Sequence, residues 1–395
     1  MGHPSTSDPF ATDERRALAE LTAEFTRREI VPHLDAWERE GGVPRSLHRA
    51  AAQAGLLGLG YAEDLGGSGG DAVDVVVMTE AMLGAGASGG LVSALFTHGI
   101  ALPHVVDAAR ARGEAGDREG ERHLLDTWVR PVLAGEAIAA LAVTEPGGGS
   151  DVADLRTRAV RDGDDWVVDG AKTYITSGTR ADLVVTAART GGPGAGGLSL
   201  LVVDPRSEGF AASAPLAKMG WHCSDTAELS FTGVRVPAVD LLGAEQGFAS
   251  LARHFAVERL NIAVMGYATA QRCLDLTLAW VRERETFGRP LASRQVVRHT
   301  LVEMHRRTDV ARRYARDVAV RLAAGEQVTL EAVLAKQTGV EAAEFVADRA
   351  VQLHGGMGYM RECEVERHYR DVRILGIGGG ATEVMTDLAS RLLGW

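Results

Sequence analysis

The residues of this chain that could approach a ligand closely lie in two glycine-rich segments. Residues 142–151 read AVTEPGGGSD, and residues 352–371 read QLHGGMGYMRECEVERHYRD. Paired glycines let a backbone come close to a ligand, because no Cβ stands in the way. Either segment alone is a weak signal, whereas both in this order, about 200 residues apart, form a far more specific pattern.

Three other features of the sequence are candidates for a phosphate, metal or dinucleotide site, and none of them meets the requirements of such a site. The cluster TGGPGAGG at 190–197 lacks the Lys-Ser/Thr pair and the following helix of a phosphate-binding loop, so a hairpin loop is predicted. The cysteines Cys223, Cys273 and Cys363 lie far apart without CxxC spacing, which excludes a disulfide framework and a zinc site. No GxGxxG stands between a strand and a helix, so a bound dinucleotide would need a fold other than the Rossmann fold.

The charge balance excludes some partners. The net charge of −11 argues against a nucleic-acid surface, which needs a basic stripe, and against binding to anionic lipid. No signal peptide and no apolar run of membrane-spanning length are predicted. We therefore expect a cytoplasmic protein that binds neither nucleic acid nor membrane.

The predicted fold class is α+β, mainly α, with helices, then strands, then helices along the chain. At 395 residues the chain exceeds the usual size of a single core, so several packed modules are expected. We predict an N-terminal helical domain over 10–138, a small antiparallel β-domain over 139–245 and a C-terminal four-helix bundle over 246–395.

Spacing and turn residues support the helical N-terminal region. Apolar residues between 18 and 37 recur at steps of three and four, and Thr12 or Asp13 could cap the first helix. The GGSGGD at 66–71 predicts a turn between helices. The mixed-charge stretch at 109–122 is predicted to be a solvated loop.

The pattern changes twice after that region. Short β-branched runs separated by Gly, Asp and Pro predict the strands between 165 and 237. A long amphipathic helix follows from the spacing over 297–322. Gly325 is predicted to end it, and Thr329 to cap a next helix that runs toward Gly355.

The two glycine-rich segments resemble the signature segments of the acyl-CoA dehydrogenase family, and the resemblance runs from about residue 10 to the C-terminus. It implies that family's fold and an enzyme that uses FAD. Such an enzyme oxidises the Cα–Cβ bond of an acyl-CoA thioester to the trans-2-enoyl thioester, with the β-hydride passing to flavin N5. The resemblance also implies an electron-transferring flavoprotein as acceptor and a homotetramer built as a dimer of dimers.

The same resemblance implies which residues would hold FAD. Val143 and Thr144 would lie along the flavin ring, and Tyr174 and Thr176 would cover its face and N5 edge. The adenine and pyrophosphate end would be held from a neighbouring subunit by Arg284, Thr286, Phe287, Gln295, Gln352, Gly355 and Gly356. The remaining cofactor positions are Gly149, Ser150, Thr382 and Glu383. Relatives usually carry Thr where this chain has Ala381, so Thr382 would have to supply that hydroxyl.

The catalytic base departs from the commonest family pattern. Taking the weakly acidic α-proton of a thioester requires a positioned carboxylate, and most members carry that Glu where this chain has Gly379. The long-chain and isovaleryl branch carries it in a helix motif ending Glu-Arg-Leu, which matches Glu258-Arg259-Leu260 here. The resemblance therefore implies Glu258 as the base, with its pKa raised by burial. The amide N–H of Gly379 would donate to the thioester carbonyl.

The substrate stays open. Ser150 and Arg259 match family contacts to CoA, and Gly378 removes bulk near the reacting carbons. Long straight, branched and terpenoid-like acyl groups are all compatible with the sequence, and so is a carrier-protein thioester. An oxidase of the same fold is an alternative, although the chain length favours the dehydrogenase. A non-catalytic nucleic-acid-binding flavoprotein is disfavoured by the acidity.

Overall fold

The computed structural model describes residues 8–244 and 246–395, which form helices, then a sheet, then helices. The predicted fold class, α+β and mainly α, is confirmed. The N-terminal helices are α1 Asp13–Phe25, α2 Leu34–Glu40, α3 Arg45–Gln53, α4 Ala72–Gly84, α5 Gly89–Leu95, α6 His98–Glu114, α7 Arg118–Leu124 and α8 Arg130–Leu133.

Local side-chain hydrogen bonds start two of these helices where the sequence predicts. The hydroxyl of Thr12 accepts a hydrogen bond from the Arg15 N–H, 3.3 Å away, and so caps α1. The GGSGGD segment is a turn, as predicted, and its last residue, Asp71, caps α4 by accepting from the Val73 N–H at 2.7 Å. The turn and the cap together set the position of α4.

The prediction of a solvated loop over 109–122 is wrong. Helix α6 continues to Glu114, and α7 begins only four residues later. The Asp117 carboxylate accepts a hydrogen bond from the Gly120 N–H at 2.9 Å and caps α7, so only a tight turn at Gly116 remains. The mixed charges belong to the outer faces of two helices.

The central region is a seven-stranded sheet with strand order β1-β4-β2-β3-β7-β6, and β5 pairs with β4. Its strands are β1 Ala139–Ala142, β2 Arg158–Asp162, β3 Asp165–Thr176, β4 Leu183–Arg189, β5 Leu198–Val203, β6 Phe210–Ala212 and β7 Thr226–Pro237. The loop at 190–197 joins the antiparallel pair β4 and β5, as predicted. The prediction of an antiparallel sheet is wrong in part. Strand β1 lies parallel to β4, and β2 meets β4 in a parallel bridge.

The C-terminal region contains the three longest helices: α9 Gly247–Glu283, α10 Gln295–Ala323 and α11 Thr329–His354. Two short strands, β8 Glu285–Thr286 and β9 Arg289–Pro290, join α9 to α10, and two shorter helices follow, α12 Glu364–Val372 and α13 Thr382–Leu392. The helix predicted over 297–322 is confirmed. Thr329 is the first residue of α11 rather than its cap, because Val328 occupies the cap position without a side-chain hydrogen bond.

Helices α9 and α11 approach each other closely at two glycines. A Cβ on Gly266 would lie 2.6 Å from the Gly339 carbonyl oxygen, and a Cβ on Gly339 would lie 2.7 Å from the Ala263 carbonyl oxygen. Both distances are too short for a side chain, so glycine is required at this crossing. The crossing holds α9 against the helix that precedes the second glycine-rich segment.

One run within the described residues, Gly89–Glu114, is long and apolar enough to cross a membrane by length and composition, contrary to our expectation. Its most apolar window is 72% buried inside the molecule, as in the core helices of folded domains. The run is also interrupted between α5 and α6. A single run of this kind is a weak indication of a membrane span.

Candidate active site

Glu258 lies on the inner face of α9. Leu251, Phe255, Glu258 and Ile262 follow one another at steps of four, three and four, so they share one side of the helix. Glu258 is half-buried, and burial raises its pKa, while the positive charges of Arg259 and Lys336 act in the opposite direction. A carboxylate of raised basicity is suited to taking a proton from a weak carbon acid.

Gly379 lies beside this carboxylate, in the segment between α12 and α13. Its φ is +62°, and a Cβ built on it would lie 3.4 Å from Glu258 Oε1 and 2.3 Å from Ile262 Cδ1. The Glu258 carboxylate therefore reaches the place that a side chain at 379 would enter. Among the described residues, no group accepts a hydrogen bond from the Gly379 N–H, so this donor is available to a ligand.

A cleft opens beside Glu258, between α6, β1 and α9. It measures about 310 Å³, including the solvent at its mouth. Its lining residues are Gly99, Ile100, Pro103, His104, Leu141, His254, Phe255, Val257 and Glu258. The wall is mainly apolar, as expected where an acyl chain would lie next to the base.

Two histidines form the polar part of this wall. His254 Nε2 lies 2.9 Å from Asp107 Oδ2, and His104 Nδ1 lies 2.7 Å from Ser250 Oγ. The two imidazole rings pack edge to face with centroids 4.8 Å apart. Burial lowers the pKa of His104 to about 3, so the His104 ring is uncharged at neutral pH.

Arg259 is a second charged residue of α9, next to Glu258 in the sequence. It is buried, its guanidinium lies 5.2 Å over the Phe255 ring, and its Nε has no hydrogen-bond partner among the described residues. Buried donors normally have an acceptor, so an unpaired nitrogen at this position is exceptional. Ser150, the other predicted CoA contact, is exposed in the segment that follows β1.

The residues predicted to lie along the flavin ring meet at the ends of two neighbouring segments. Val143 and Thr144 directly follow β1, and the Thr144 carbonyl oxygen accepts a hydrogen bond from the Thr173 N–H at 2.9 Å. This bond places them beside Tyr174 and Thr176 at the end of β3.

The backbone near Tyr174 is unusual. Tyr174 has a φ of +59°, which is rare for a residue with a side chain, and the pairing of β3 with β7 is irregular between Lys172 and Ile175. Its aromatic side chain is 70% exposed. A strained backbone that presents an aromatic face next to hydroxyl and amide groups fits a flat ring such as the flavin of FAD.

The residues predicted for the adenine and pyrophosphate end form a separate, outward-facing group. Thr286 is half-buried, and the others, all exposed, are Arg284, Phe287, Gln295, Gln352, Gly355 and Gly356. Phe287 is 97% exposed and lies under the Arg294 guanidinium, 5.5 Å from ring centroid to Cζ. An arginine-rich, open surface of this kind suits phosphate binding, and it is the arrangement expected if a second subunit completes the site.

The start of α13 carries the last predicted cofactor residues. Thr382 and Glu383 are exposed. The Thr382 hydroxyl donates to the Gly376 carbonyl oxygen of the same chain at 3.3 Å, which leaves its oxygen free to accept a hydrogen bond. Gly149, at the other end of the site, is exposed and packs against Thr144, where a Cβ would lie 3.1 Å from Thr144 Cγ2.

Sequence reasoning missed two buried lysines that hold the glycine-rich segments. Lys172 Nζ donates to the Val143 carbonyl oxygen and to Glu145 Oε1, both at 2.9 Å. Lys336 Nζ donates to the carbonyl oxygens of Gly378, at 2.7 Å, and Gly380. The only signal in the sequence is a lysine inside an apolar run, and that signal does not say which backbone the ammonium group reaches.

Comparison with known proteins gives a consistent result. Family profiles described as the N-terminal, middle and C-terminal domains of acyl-CoA dehydrogenase match residues 12–111, 140–234 and 245–394. The mitochondrial long-chain specific acyl-CoA dehydrogenase of Rattus norvegicus is 35% identical over 385 residues, which cover 96% of this chain and 86% of the relative.

Solved structures agree with these matches. A putative acyl-CoA dehydrogenase from Mycobacterium smegmatis is 58% identical, with a TM-score of 0.94 over 98% of this chain and 99% of that one. A glutaryl-CoA dehydrogenase from Mycobacterium smegmatis, solved in complex with FADH2, is 25% identical, with a TM-score of 0.86 over 99% of this chain and 97% of that one.

Proposed function

Because this chain belongs to the acyl-CoA dehydrogenase family of FAD-dependent enzymes, we propose that it dehydrogenates an acyl-CoA thioester with Glu258 as the catalytic base. The observation that carries the proposal is the meeting of two elements. Glu258 Oε1 lies 3.4 Å from the point where a side chain at Gly379 would begin. In this proposal, Glu258 supplies from α9 the carboxylate that most family members carry at the position of Gly379.

The roles of the protein groups follow from their chemistry. Glu258 takes the proton from Cα, and burial supports this by raising the pKa of its carboxyl group. The free N–H of Gly379 donates to the thioester carbonyl oxygen, where negative charge grows as the proton leaves. Bound FAD supplies the acceptor for the hydride that leaves Cβ.

The substrate contacts belong to this proposal. Arg259 would bind the CoA moiety from α9, and Ser150 would bind it from the exposed segment after β1. Gly378 leaves room beside the reacting carbons, because a Cβ there would meet nothing closer than the Ile374 carbonyl oxygen at 3.5 Å. A panel of straight and branched acyl-CoA thioesters, with a carrier-protein thioester beside them, would identify the acyl group.

We also propose an electron-transferring flavoprotein as the acceptor, a homotetramer as the assembly and a cytoplasmic location. A caffeyl-CoA reductase–Etf complex subunit from Acetobacterium woodii, 29% identical over 387 residues, supports the first of these. Stopped-flow mixing of the substrate-reduced enzyme with air tests it. Slow reoxidation is expected, and rapid reoxidation would assign the chain to the oxidases.

The decisive experiment on the base compares Glu258→Gln with Glu341→Gln, an exposed glutamate of α11. Glu258→Gln should keep the yellow cofactor. The rate of its substrate-induced bleaching should fall by roughly 10²–10⁴-fold, because no carboxylate takes the α-proton. Glu341→Gln should bleach like the wild type. In the wild type the bleaching rate should fall in acid, with a midpoint above the usual pKa of glutamate, since burial raises the pKa of Glu258. Normal bleaching of Glu258→Gln would refute the assignment.

A further inference from the structure

Lys336 is a buried cation at the centre of the candidate active site. Its side chain lies on α11 and is 1% exposed. Its ammonium group donates to the carbonyl oxygens of Gly378 and Gly380, the residues on either side of Gly379. One lysine thus holds both carbonyls that flank the residue predicted to bind the thioester oxygen.

The geometry of the peptide bond gives these contacts a directional consequence. In a trans peptide the C=O of one residue and the N–H of the next point in opposite directions within one plane. The Gly378 carbonyl and the Gly379 N–H belong to the same trans peptide. When Lys336 binds the Gly378 oxygen, the Gly379 N–H is therefore directed away from Lys336. The ammonium charge on that oxygen also polarises the peptide and strengthens its N–H as a donor.

Glycine at these positions makes such a restraint necessary. Gly379 and Gly380 both have positive φ, +62° and +103°, and glycine backbones have many accessible conformations. Without an anchor, the Gly379 peptide would be free to rotate. Three glycines in a row are thus restrained from outside by a side chain of the neighbouring helix.

The charges around Lys336 connect it with the base. Glu258 and Arg259 on α9 are the charged groups that act on it: Glu258 favours its ammonium form, and Arg259 opposes it. In return, the Lys336 charge favours the ionised form of Glu258. Burying an ammonium group is costly unless polar groups compensate, and here two carbonyl oxygens and one carboxylate do so.

We propose that Lys336 is a positioning residue for the reaction: from α11 it aims the Gly379 N–H at the thioester oxygen, beside Glu258. This inference rests on the proposed function, in which those two groups act on the substrate. It assigns three roles to three elements, with the base on α9, the donor between α12 and α13, and the anchor on α11.

The test compares Lys336→Met, which keeps an unbranched apolar side chain one atom shorter and loses the ammonium group, with Lys218→Met. Lys218 is a half-buried lysine of the central region that likewise donates to a backbone carbonyl oxygen, that of Ser224. The probes are the best acyl-CoA substrate of the wild type and the matching 3-thiaacyl-CoA, which can lose its α-proton but has no β-hydride to give. The readouts are flavin reduction per bound FAD, the pH dependence of the 3-thiaacyl-CoA spectrum, and hydrogen–deuterium exchange of residues 376–381.

Lys336→Met should reduce its flavin at least about tenfold more slowly per bound FAD, a change equivalent to losing one charge-assisted hydrogen bond. Deprotonation of the 3-thiaacyl-CoA should shift toward alkali, because the cation that favours ionised Glu258 is gone. Exchange over 376–381 should become faster. Lys218→Met should leave all three readouts at their wild-type values.

A purely structural lysine would lower FAD content or Tm and leave the rate and pH profile of the remaining holoenzyme unchanged, and that result would overturn the proposal. Should Lys336→Met fail to fold, Lys336→Gln, which keeps one donor, decides the question by the same criteria. A wild type that binds FAD yet is reduced by no acyl thioester would overturn the proposed function itself. A reducible wild type with an unaffected Lys336 variant would overturn only the role of Lys336.

Discussion

Two residues of different elements reach one point of the active site, and only Glu258 has a side chain there. Gly379 faces it with a bare backbone, so in the proposed mechanism the base and the oxyanion donor are separate residues. The arrangement lets the carboxylate be supplied by a helix, while the glycine segment keeps its amide group for the substrate. We expect the side chain of Ile262 to determine whether the carboxylate can be moved from position 258 to position 379.

Moving the base tests this geometry. In the double variant Glu258→Gly/Gly379→Glu, the new Cβ would lie 2.3 Å from Ile262 Cδ1, and a non-glycine residue at φ +62° costs about 1–3 kcal/mol. We expect flavin reduction to be weak in this variant and to rise at least about tenfold when Ile262→Ala is added, which corresponds to about 1.4 kcal/mol. Stopped-flow bleaching measures the rates, with Ile262→Ala alone as the control. A triple variant no faster than Glu258→Gly would contradict the shared position.

Among single residues, the sequence predicts Glu258 and Gly379 as members of the site, but it does not predict the residues that contact them. Glu258 and Gly379 occupy motif positions, so their complementary identities could be recognised without coordinates. Lys336 and Ile262 could not, because each matters only through the backbone or side chain that packs across from it. Contacts between distant segments leave no local pattern in a sequence.

Two long helices carry the proposed base and the lysine that binds the glycine segment, and the alignment of these two residues depends on the crossing of α9 and α11. Glu258 and Lys336 lie on these two helices, and Gly266 and Gly339 permit the close approach. A change in the separation of the helices would move the base relative to the anchored glycine segment. We therefore expect flavin reduction to depend on Gly339, although this residue has no proposed contact with the substrate.

Gly339→Ala tests that dependence. Its Cβ would lie 2.7 Å from the Ala263 carbonyl oxygen, so the helices must shift, and overpacking of this kind typically costs about 1–3 kcal/mol. We expect a lower Tm together with slower flavin reduction per bound FAD. Gly84→Ala is the matched control, because its Cβ would meet nothing within 4 Å. Thermal unfolding and single-turnover reduction would measure both effects, and a Gly339→Ala protein equal to the control would refute the argument.

The elements themselves were largely predictable, with instructive exceptions. The helix over 297–322 and the hairpin at 190–197 follow from spacing and glycine content, which are local signals. The mixed charges of the segment 109–122 predict a loop, whereas in the structure they lie on two helices separated by one tight turn. The parallel pairing of β1 with β4 is set by tertiary packing, which strand patterns do not encode.

As a whole, the single chain presents one part of the expected cofactor site on its surface. The residues predicted for the pyrophosphate end face outward, away from a packed core, and Phe287 is 97% exposed. Phe287 is also one of the predicted cofactor residues, so we expect a second subunit to cover it. The proposed homotetramer would cover this surface and complete the FAD site from two chains.

Phe287→Asp tests this assembly. A buried, unpaired carboxylate disfavours an interface, so we expect smaller particles in mass photometry and a lower ratio of FAD to protein. Both the particle size and the FAD ratio should rise at higher protein concentration. The matched control is Val160→Asp, since Val160 is an exposed apolar residue of β2, 57% exposed, with no predicted role in the site. It should assemble and bind FAD normally. Loss of FAD from a Phe287→Asp protein that keeps its wild-type particle size would place Phe287 in the cofactor site of its own chain. Unchanged size and FAD content would remove the surface around Phe287 from the interface.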